Sequence, residues 1–409
     1  FFTQNTAYEI APGYDHFTSA IGAAMIVPAT LAGIRATFAE QRHRNMALGV
    51  WAAVGSGGAA FGPLVGGMLL EHFYWGSVFL INVPIVLVVM ALTARLVPRQ
   101  AGRRDQSLNF GHAIMLIVAI LLLVYSAKTA LKGHTATVAI ALTLLTGALL
   151  LWQVVRIQLA AARPMIDMRL FTHRIILSGV VMAMTAMITL VGFELLMAQE
   201  LQFVHGLTPY QAGLFMLPVM LASGFSGPIA GMLVSRLGLR CVATAGMALS
   251  AVSFYGLAMT DFSSQQVQAW ILMALLGFSA ASALLASTAA IMAAAPAEKA
   301  AAAGAIETMA YELGAGLGIA IFGLLLSRSF SASILPPAGL NPQEMERASS
   351  SMGEAVQLAH SLPSSLSEAL LTAAREAFTW SHSVALSSAG SMLIVLAIGM
   401  WFSLAKVQR

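Results

Sequence analysis

Cysteine is almost absent from this chain of 409 residues, because Cys241 is the single one. One thiol excludes an internal disulfide framework and a cluster of cysteine metal ligands. The nine histidines show no paired spacing of the kind that metal sites use, and most of them fall at the ends of apolar runs or between them. We therefore expect neither a disulfide nor a metal site.

Charged residues are also scarce. They make up 9% of the chain against 58% hydrophobic residues, and the mean hydropathy is +0.82. Soluble domains carry about 25% charged and about 45–50% apolar residues. The composition therefore predicts an all-α, polytopic helix bundle surrounded by a lipid bilayer. Lysine and arginine outnumber aspartate and glutamate by 21 to 17, but they lie in short loops, so we expect no nucleic-acid partner.

Catalytic and nucleotide-binding patterns are missing. The run GSGGAAFG at 55–62 superficially resembles a dinucleotide loop, but no strand precedes it and no βαβ unit follows. No glycine loop leads into a Walker lysine, no H-E-x-x-H motif is present, and the spacing of serine, histidine and aspartate indicates no catalytic set. We expect no enzyme and no cofactor, and an ion gradient rather than ATP as the energy source.

Long apolar runs dominate what the chain does contain. A run of about 20 residues spans a bilayer, and the sequence predicts eleven transmembrane helices. They lie at 18–38, 46–70, 75–97, 108–130, 135–157, 175–199, 210–234, 240–260, 268–294, 301–327 and 379–404. The one long connection, 328–378, is rich in Ser, Pro and Glu and has a predicted short amphipathic helix near Glu368–Phe378.

The distribution of basic residues predicts the orientation. Fifteen of the 21 lysines and arginines fall in one set of alternate loops and five in the other, and Arg35 lies inside the first span. Loops rich in lysine and arginine stay in the cytoplasm. The C-terminus is therefore expected in the cytoplasm, and the segment 328–378 and the N-terminus outside.

A ladder of glycine and proline marks the second predicted span. It consists of Gly49, Gly58, Gly62, Pro63, Gly66 and Gly67. On a helix, Gly58, Gly62 and Gly66 fall on one stripe, and such a stripe of small residues lets another helix approach closely. Pro63 removes one backbone donor, so we expect a bend or a local loosening there.

The spacing of the full ladder is similar to the fifth-span motif of the drug:proton antiporters in the major facilitator superfamily. Other segments resemble the same family. WGSVFLINVP at 75–84 is similar to its W-R-W-x-F-x-I-N-x-P, and PMIDMRLF at 164–171 to its cytoplasmic element before the ninth span. The segment 202–218 resembles its tenth-span entry, and Gly22-Ala23-Ala24 the tail of its fourth-span motif.

A further segment resembles the second-half copy of the superfamily loop G-x3-D-R-x-G-R-R. Here it reads Gly231-x3-Ser235-Arg236-x-Gly238-x-Arg240, with Ser235 where the family has Asp. The resemblance implies a cytoplasmic gating loop formed by Gly231, Arg236, Gly238 and Arg240.

The resemblance covers 21–409 and follows the 14-span members of the family from their fourth span onward. Residues 1–20 form an atypical N-terminal segment in which the first three family spans have no counterpart. The resemblance implies that 21–97 is the remainder of an N-terminal bundle and 98–174 a two-helix insert with cytoplasmic linkers. It also implies a six-helix C-terminal bundle at 175–409, with a cavity between the bundles.

The function implied by the resemblance is proton-coupled multidrug efflux across the bacterial inner membrane by alternating access. The expected partners are protons and lipophilic or quaternary ammonium cations, such as methyl viologen, dyes and cationic biocides. A monomer is expected, because one chain encloses the path in this superfamily. Two alternatives remain open: a truncated, transport-inactive membrane remnant of such an exporter, and a membrane-embedded enzyme or sensor.

Three acidic residues lie well inside the predicted spans and are candidates for proton coupling and cation binding: Glu194, Glu307 and Glu312. A carboxyl group buried in a membrane holds a proton or pairs with a cation, but not both, which is the simplest antiport mechanism. Glu312 is expected near the midplane, and Tyr311 is placed to hydrogen-bond Glu307. A structural alternative is a neutral carboxyl group hydrogen-bonded between helices.

Aromatic rings and thioethers suit a lipophilic cation. Candidate cavity residues are Trp51, Phe193, Met197, Met309 and Tyr311. Ordinary packing is the favoured alternative for each of these side chains, because methionine and aromatic residues occur throughout the predicted bundle.

Overall fold

The structure is a computed structural model that describes residues 26, 29–35, 37–74, 76–96, 109–132, 137–161, 164, 167–296 and 299–404. The predicted N-terminal segment 1–20 and the tripeptide at 22–24 lie outside these residues, as does part of the first predicted span, 18–38. Helices make up nearly all of the described chain, and no strand occurs in it. The predicted all-α class is confirmed.

A helical segment at 29–35 comes first in the described chain, and five helices follow it in the first half. They are α1 (Gln41–His72), α2 (Ser77–Leu80), α3 (Asn82–Leu96), α4 (Phe110–Lys132) and α5 (Thr137–Ala160). A 3-10 turn, Met168–Thr172, precedes the second half. The helices α4 and α5 pack mainly on each other.

The second half begins with α6 (Arg174–Gln199), which continues into a π-helical turn, Glu200–Val204. Next come α7 (Pro209–Phe215), α8 (Leu217–Leu237), α9 (Leu239–Ala258), α10 (Gln266–Ala294) and α11 (Ala300–Ser333). The chain ends with α12 (Pro342–Ser350), α13 (Met352–Ala359) and α14 (Ser364–Ser403).

Eight helical segments within the described residues are long and apolar enough to cross a membrane. They are Ser77–Arg95, Val138–Ala160, Arg174–Val204, Leu217–Leu237, Leu239–Ala258, Gln266–Ala294, Ala302–Ser333 and Ser364–Ser403. Each overlaps one predicted span. Phe110–Ser126 is a shorter apolar helix inside the predicted span 108–130, and α1 contains the predicted span 46–70.

Glycine contacts hold the helices of the second half together. A Cβ atom on Gly314 or Gly318 of α11 would lie 2.6 Å from a carbonyl oxygen of α6, and one on Gly277 of α10 would lie 2.0 Å from that of Val219. Helices in lipid gain little from the hydrophobic effect between them, so close backbone approach supplies the contact energy. These glycines therefore define which helices are neighbours.

The glycine ladder of α1 makes its close contacts at its two ends. A Cβ on Gly49 would lie 2.6 Å from the carbonyl oxygen of Gly227 in α8, and one on Gly67 would lie 3.2 Å from Cα of Tyr210. These two glycines are 18 residues apart, which is five full turns, so they share one stripe. The helix itself continues past Pro63 to His72.

Gly58, Gly62 and Gly66 make no close approach to any described residue, so the predicted helix contact along this stripe stays a prediction. A Cβ at any of these positions would have no described atom within 4 Å. Gly58 is nine residues from Gly49, which turns it to the opposite side of α1. The stripe that packs on α8 and α7 therefore excludes the other three glycines.

The prediction of one short helix near Glu368–Phe378 is wrong, because this segment is the first part of α14. The connection before it contains α12 and α13. Asn341 and Glu344 form a capping box that starts α12, and Ser351 accepts a hydrogen bond that starts α13. A small apolar cluster then holds these helices to α14. It consists of Leu340, Ala348, Leu358, Ala359 and Leu370.

Two larger apolar clusters position the polar groups described below. One fills the second half between α6 and α14 and includes Phe193, Met197 and Phe254. The other lies where α1 meets α6, α8, α10 and α11, and includes Leu48 and Ile306. The domain boundaries predicted at 97 and 174 stay predictions.

The glycine contact of α1 gives a direct test. We expect Gly49→Ala to lower the free energy of unfolding by about 1–3 kcal/mol, because the new methyl group overlaps the backbone of α8. Gly58→Ala in the same helix is the matched control and should be neutral or slightly stabilising, because alanine favours a helix. The measurement is the thermal unfolding midpoint of each purified variant. Equal midpoints would contradict this assignment of the packed stripe.

Candidate functional site

Glu307 is the centre of a buried polar group between α10 and α11. The residue is 0% exposed. Its Oε1 accepts a hydrogen bond of 2.5 Å from the hydroxyl of Tyr311 and a shorter one from Oγ1 of Thr288. The two hydroxyl oxygens lie 2.8 Å apart. The predicted hydrogen bond between Tyr311 and Glu307 is confirmed.

The helices explain why these three side chains meet. Glu307 and Tyr311 are four residues apart on α11, which places them on the same face of that helix. Thr288 comes from α10, where its neighbour Ser287 donates a hydrogen bond of 2.7 Å to the carbonyl oxygen of Leu284. Oγ1 of Thr288 also lies 3.3 Å from that carbonyl oxygen, but its single proton is donated to the carboxyl group of Glu307.

The second oxygen of Glu307 is different. Oε2 is buried and has no hydrogen-bond partner among the described residues. A buried polar atom without a partner is unfavourable unless it carries a proton or meets a ligand. One oxygen of the carboxyl group is therefore held by hydroxyl groups, and the other has no hydrogen-bond partner among the described residues.

Apolar and aromatic side chains surround this group. Ile306 and Leu285 are buried beside it, and Trp51 and Tyr311 are partly buried against the same cluster. The indole Nε1 of Trp51 donates a hydrogen bond of 3.1 Å to Oγ1 of Thr30. The predicted cavity residues Trp51 and Tyr311 thus pack against one apolar cluster, which also contains Ile306, the neighbour of Glu307.

Glu312 lies on another side of α11. Glu312 and Gly316 are exposed, and Met309 is half-buried. Gly314 and Gly318 face α6 instead. Five residues separate Glu307 from Glu312, or about 140° around the helix, so one cannot lie beside the other. The role of Glu312 and Met309 in cation binding stays a prediction.

The third candidate acid, Glu194, is half-buried on α6 and lies apart from the group at Glu307. The neighbouring candidate Phe193 is fully buried and packs edge-on against Phe254, with ring centroids 6.0 Å apart. Met197 is also fully buried in the same apolar cluster. A cation could reach Phe193 or Met197 only if this packing opened, so their role as cavity residues stays a prediction.

The predicted gating loop connects α8 to α9. A Cβ on Gly231 would lie 2.7 Å from the carbonyl oxygen of Asn45, and the Asn45 amide donates a hydrogen bond of 3.2 Å to Oγ of Ser235. Gly238 has a φ of 81°, which favours glycine at this sharp turn. At the position where the family has a charged Asp, Ser235 thus makes a neutral hydrogen bond to Asn45 of α1.

The two arginines of the loop differ in their surroundings. Arg236 is exposed and lines a cavity of about 370 Å³ with Arg42 and Ser235. Arg240 donates a hydrogen bond of 2.9 Å to the carbonyl oxygen of Trp401 and lies 3.7 Å over its ring. Arg240 therefore binds the end of α14 rather than α1, and the gating role of the loop stays a prediction.

An ion pair ties the 3-10 turn to the start of α11 on the same side of the protein. Nζ of Lys299 contacts Oδ2 of Asp167, and Asp167 also accepts a hydrogen bond from the backbone of Arg169. The hydrogen bond from Lys299 lowers the pKa of Asp167 below its ordinary value. This pair joins the element that precedes α6 to the helix that carries Glu307.

Two sets of polar residues escaped the sequence analysis. Thr288 and Ser287 fall within a serine-rich apolar run that gave no charge signal. Glu200 directly follows the predicted span 175–199 and is not among the candidate acids, yet it is 1% exposed and contacts Thr379 and His382 of α14. Their partners are distant in sequence, so spacing along the chain carried no sign of them. No group of three metal-ligand side chains occurs among the described residues.

Comparison with known proteins identifies the family. The sequence model of the Major Facilitator Superfamily matches residues 17–319 and 175–408. The chain belongs to the Major Facilitator Superfamily. It is therefore a multi-pass membrane protein of a transporter family, and the family predicted from its motifs is confirmed.

Relatives within the superfamily are named for drug resistance and efflux. The chain is 85% identical over 390 residues to the methyl viologen resistance protein SmvA of Salmonella typhimurium, which covers 95% of this chain and 79% of the relative. It is 34% identical to the multidrug efflux pump LfrA of Mycolicibacterium smegmatis over 87% of this chain and 70% of the relative. The multidrug resistance protein Stp of Mycobacterium tuberculosis is 31% identical over 77% of this chain and 59% of the relative.

The ion pair of Asp167 predicts a dependence of stability on pH. At neutral pH we expect Asp167→Asn to lower the free energy of unfolding by about 0.5–1 kcal/mol, as for other partly exposed pairs. Because folding lowers the pKa of Asp167, this contribution is complete above the ordinary pKa of about 4 and is lost as the pH falls through the lowered value.

The measurement is the thermal midpoint of wild type and Asp167→Asn between neutral pH and about pH 3. Asparagine preserves the acceptor for the backbone of Arg169, so the variant removes only the charge. The thermal midpoint of Lys299→Gln should likewise approach that of wild type at low pH. A difference that stays constant with pH would contradict this interpretation.

Proposed function

We propose that this chain exports lipophilic cations across the bacterial inner membrane in exchange for protons. The substrate class includes methyl viologen, quaternary ammonium compounds, dyes and cationic biocides. The names of the related proteins support this class of substrate, since they refer to methyl viologen resistance and multidrug efflux. Membership of the superfamily supports transport by alternating access rather than catalysis.

The observation that carries the proposal is the half-satisfied carboxyl group of Glu307. Hydroxyl groups of Thr288 and Tyr311 stabilise its deprotonated form through Oε1, while Oε2 has no partner among the described residues. An ionised carboxylate buried in this way is unfavourable until a proton or a cation meets Oε2. The same carboxyl group can then hold either a proton or a cation, so the binding of one displaces the other.

The proposed transport cycle depends on Glu307 binding a proton or a cation, but not both at once. With the carboxyl group deprotonated, a cation from the cytoplasmic side is drawn to it and contacts the face of Trp51. A proton that arrives from outside neutralises the carboxyl group, and the cation then loses its counter-charge and leaves outward. Release of the proton to the cytoplasm restores the first state. The proton motive force supplies the energy, because each cycle moves a proton inward.

Glu312 takes a different role in this proposal. Its exposed position attracts cations to α11, while Glu307 decides between proton and cation. Glu194 is half-buried and offers a third acidic group within the second half. Met309, Phe193 and Met197 would contact the substrate in conformations that open the packing around them.

The distribution of basic loops supports an orientation with the C-terminus in the cytoplasm. Glu307 then lies about 11 Å from the cytoplasmic start of α11, at 1.5 Å per residue. A single chain is proposed to form the complete path, as a monomer, with the cavity between the N-terminal remainder and the C-terminal bundle. No cofactor takes part.

The first test is the accumulation of methyl viologen in efflux-deficient cells that express this chain. We expect lower accumulation than with an empty vector, and a protonophore should raise it to the vector level. Glu307→Gln keeps the shape of the side chain but cannot lose a proton, so accumulation should also rise to the vector level. Membrane fractionation confirms insertion of each variant. Wild-type accumulation equal to that of the vector, with the chain in the membrane, would contradict the proposal.

The role of Glu312 predicts a milder change. Glu312→Gln should raise the KM for methyl viologen by about tenfold with kcat almost unchanged, because only attraction of the cation is lost. Initial efflux rates from preloaded cells at several concentrations measure both constants. Glu346→Gln, on the exposed helix α12, is the control and should change neither constant. A loss of kcat in Glu312→Gln would instead place this residue in the exchange step.

A further inference from the structure

A second buried polar group lies where α6 passes into its π-helical turn. Glu200 is the first residue of that turn, and its Oε1 accepts a hydrogen bond of 2.9 Å from Oγ1 of Thr379. Nδ1 of His382 lies 3.6 Å from Oε2 of the same carboxyl group. Thr379 and His382 are three residues apart on α14, so this helix presents both to Glu200. We call Glu200 and His382 the outer pair.

The outer pair is deeply buried and incompletely hydrogen-bonded. The side chains of Glu200 and His382 are 1% and 2% exposed. Oε2 of Glu200 and Nε2 of His382 have no hydrogen-bond partner within the described part of the chain. A polar pair that served packing alone would be expected to have all its polar atoms satisfied. Regular helix also gives way to a π turn at this point, and such turns occur frequently at functional sites.

With one shared proton, the outer pair has no net charge. A carboxylate with a protonated imidazole and a carboxylic acid with a neutral imidazole both have no net charge. The two groups therefore titrate as a unit, and the proton belongs to the pair rather than to either residue. Without this proton the pair would have one buried negative charge, which a membrane interior disfavours.

His205 links the outer pair to the surface. Its Nε2 lies 3.9 Å from Oε1 of Glu200, and its side chain is 23% exposed. The ring lines a cavity of about 510 Å³ together with Gln211 and Phe262. Burial lowers the pKa of His205 below its ordinary value, and the Asp261 carboxylate opposes this shift. A partly exposed histidine of this kind accepts and releases protons near neutral pH.

The other elements around the outer pair contribute few titratable groups. His205, at the end of the π turn, acts electrostatically on His382, and Asp261, in the loop between α9 and α10, acts on His205. Phe262 from that loop lies against His382, with ring centroids 5.7 Å apart. From α11, the hydroxyl of Ser333 lies 3.4 Å from that of Ser381, the neighbour of His382.

The outer pair and Glu307 lie at opposite ends of the bundle. The helices α6 and α11 run side by side in the same direction, with Gly314 against Met184 and Gly318 against Ile188. Counting from this contact, Glu200 lies 12 residues further along α6 and Glu307 lies 11 residues back along α11. At 1.5 Å per residue, the two carboxyl groups are about 34 Å apart along the bundle. By the predicted orientation, Glu200 is on the outer side.

We propose that Glu200 and His382 form an outer proton-binding site, which exchanges one proton with the outside through His205. His205 takes up a proton at Nε2 and passes it to the pair, and His205 becomes neutral again. Only N–H and O–H bonds form and break, and the proton comes to rest on the site shared by Glu200 and His382. This inference rests on the proposed proton-coupled export, because an outer proton site has a use only in such a cycle.

The test separates proton coupling from substrate binding in proteoliposomes with methyl viologen as the probe. One assay measures transport driven by a pH gradient, and the other measures exchange of labelled for unlabelled methyl viologen without a gradient. Glu200→Gln and His382→Gln should lower gradient-driven transport by about tenfold or more and leave exchange within about twofold of wild type. Glu200→Asp should recover part of the gradient-driven rate. Glu346→Gln and His360→Gln, both exposed in the segment between α11 and α14, should match wild type.

The outcomes distinguish this inference from the proposed function. If wild type shows no gradient-driven transport, the proposed function and the outer site both fail. Driven wild-type transport with unchanged rates in Glu200→Gln and His382→Gln would overturn the outer site alone. A parallel loss of driven transport and exchange, in variants that remain folded, would also overturn it, since it would indicate a structural role.

If Glu200→Gln fails to fold, two other variants test the outer site. Thr379→Val keeps the carboxyl group and the side-chain volume but removes the hydrogen bond to Oε1. His205→Gln removes the link to the surface. Each should shift the external pH of half-maximal transport by about 0.5 to 1 unit, as expected when one hydrogen bond or neighbouring group changes. Unchanged pH profiles in both variants would overturn the proposal.

Discussion

Close contact between helix backbones at glycine is the constraint on which the rest of this structure depends. Helices in lipid have no strong hydrophobic drive to associate, so they need extensive contact at short range. Gly49 against Gly227 brings α1 to α8, and Gly314 against Met184 brings α11 to α6. These contacts set the rotation of each helix about its axis. The rotation of α11 in turn points Glu307 towards Thr288 and leaves Glu312 exposed.

The two buried carboxyl groups share one chemical pattern. In each, Oε1 accepts a hydrogen bond from a threonine hydroxyl of a neighbouring helix, while Oε2 has no hydrogen-bond partner among the described residues. Glu307 meets a tyrosine as well, and Glu200 meets two histidines. A neutral donor at one oxygen stabilises the ionised form without removing the need for a proton or a cation at the other. This balance suits groups that change their occupant during a cycle.

Much of the fold could be predicted because its cause is local. Apolar runs of bilayer length appear directly in the chain, and eight of the predicted spans correspond to helices long enough to cross a membrane. The contact of Tyr311 with Glu307 was also predictable, since residues four apart on a helix are neighbours. Most of the helical structure in 328–378 was missed, because the short helices α12 and α13 depend on caps and on contacts with α14 rather than on a long apolar run.

The sequence by itself determined the membrane class, most of the span positions and the family, because these follow from composition, run length and motif spacing. It also identified Glu307 as an acid inside a span. Only the tertiary structure decided which glycines of α1 touch another helix and which acids have partners. Glu200 and His382 are 182 positions apart in the chain, and no local pattern connects them. Helix rotation and neighbour choice depend on contacts between distant segments, and side-chain spacing along one helix does not encode them.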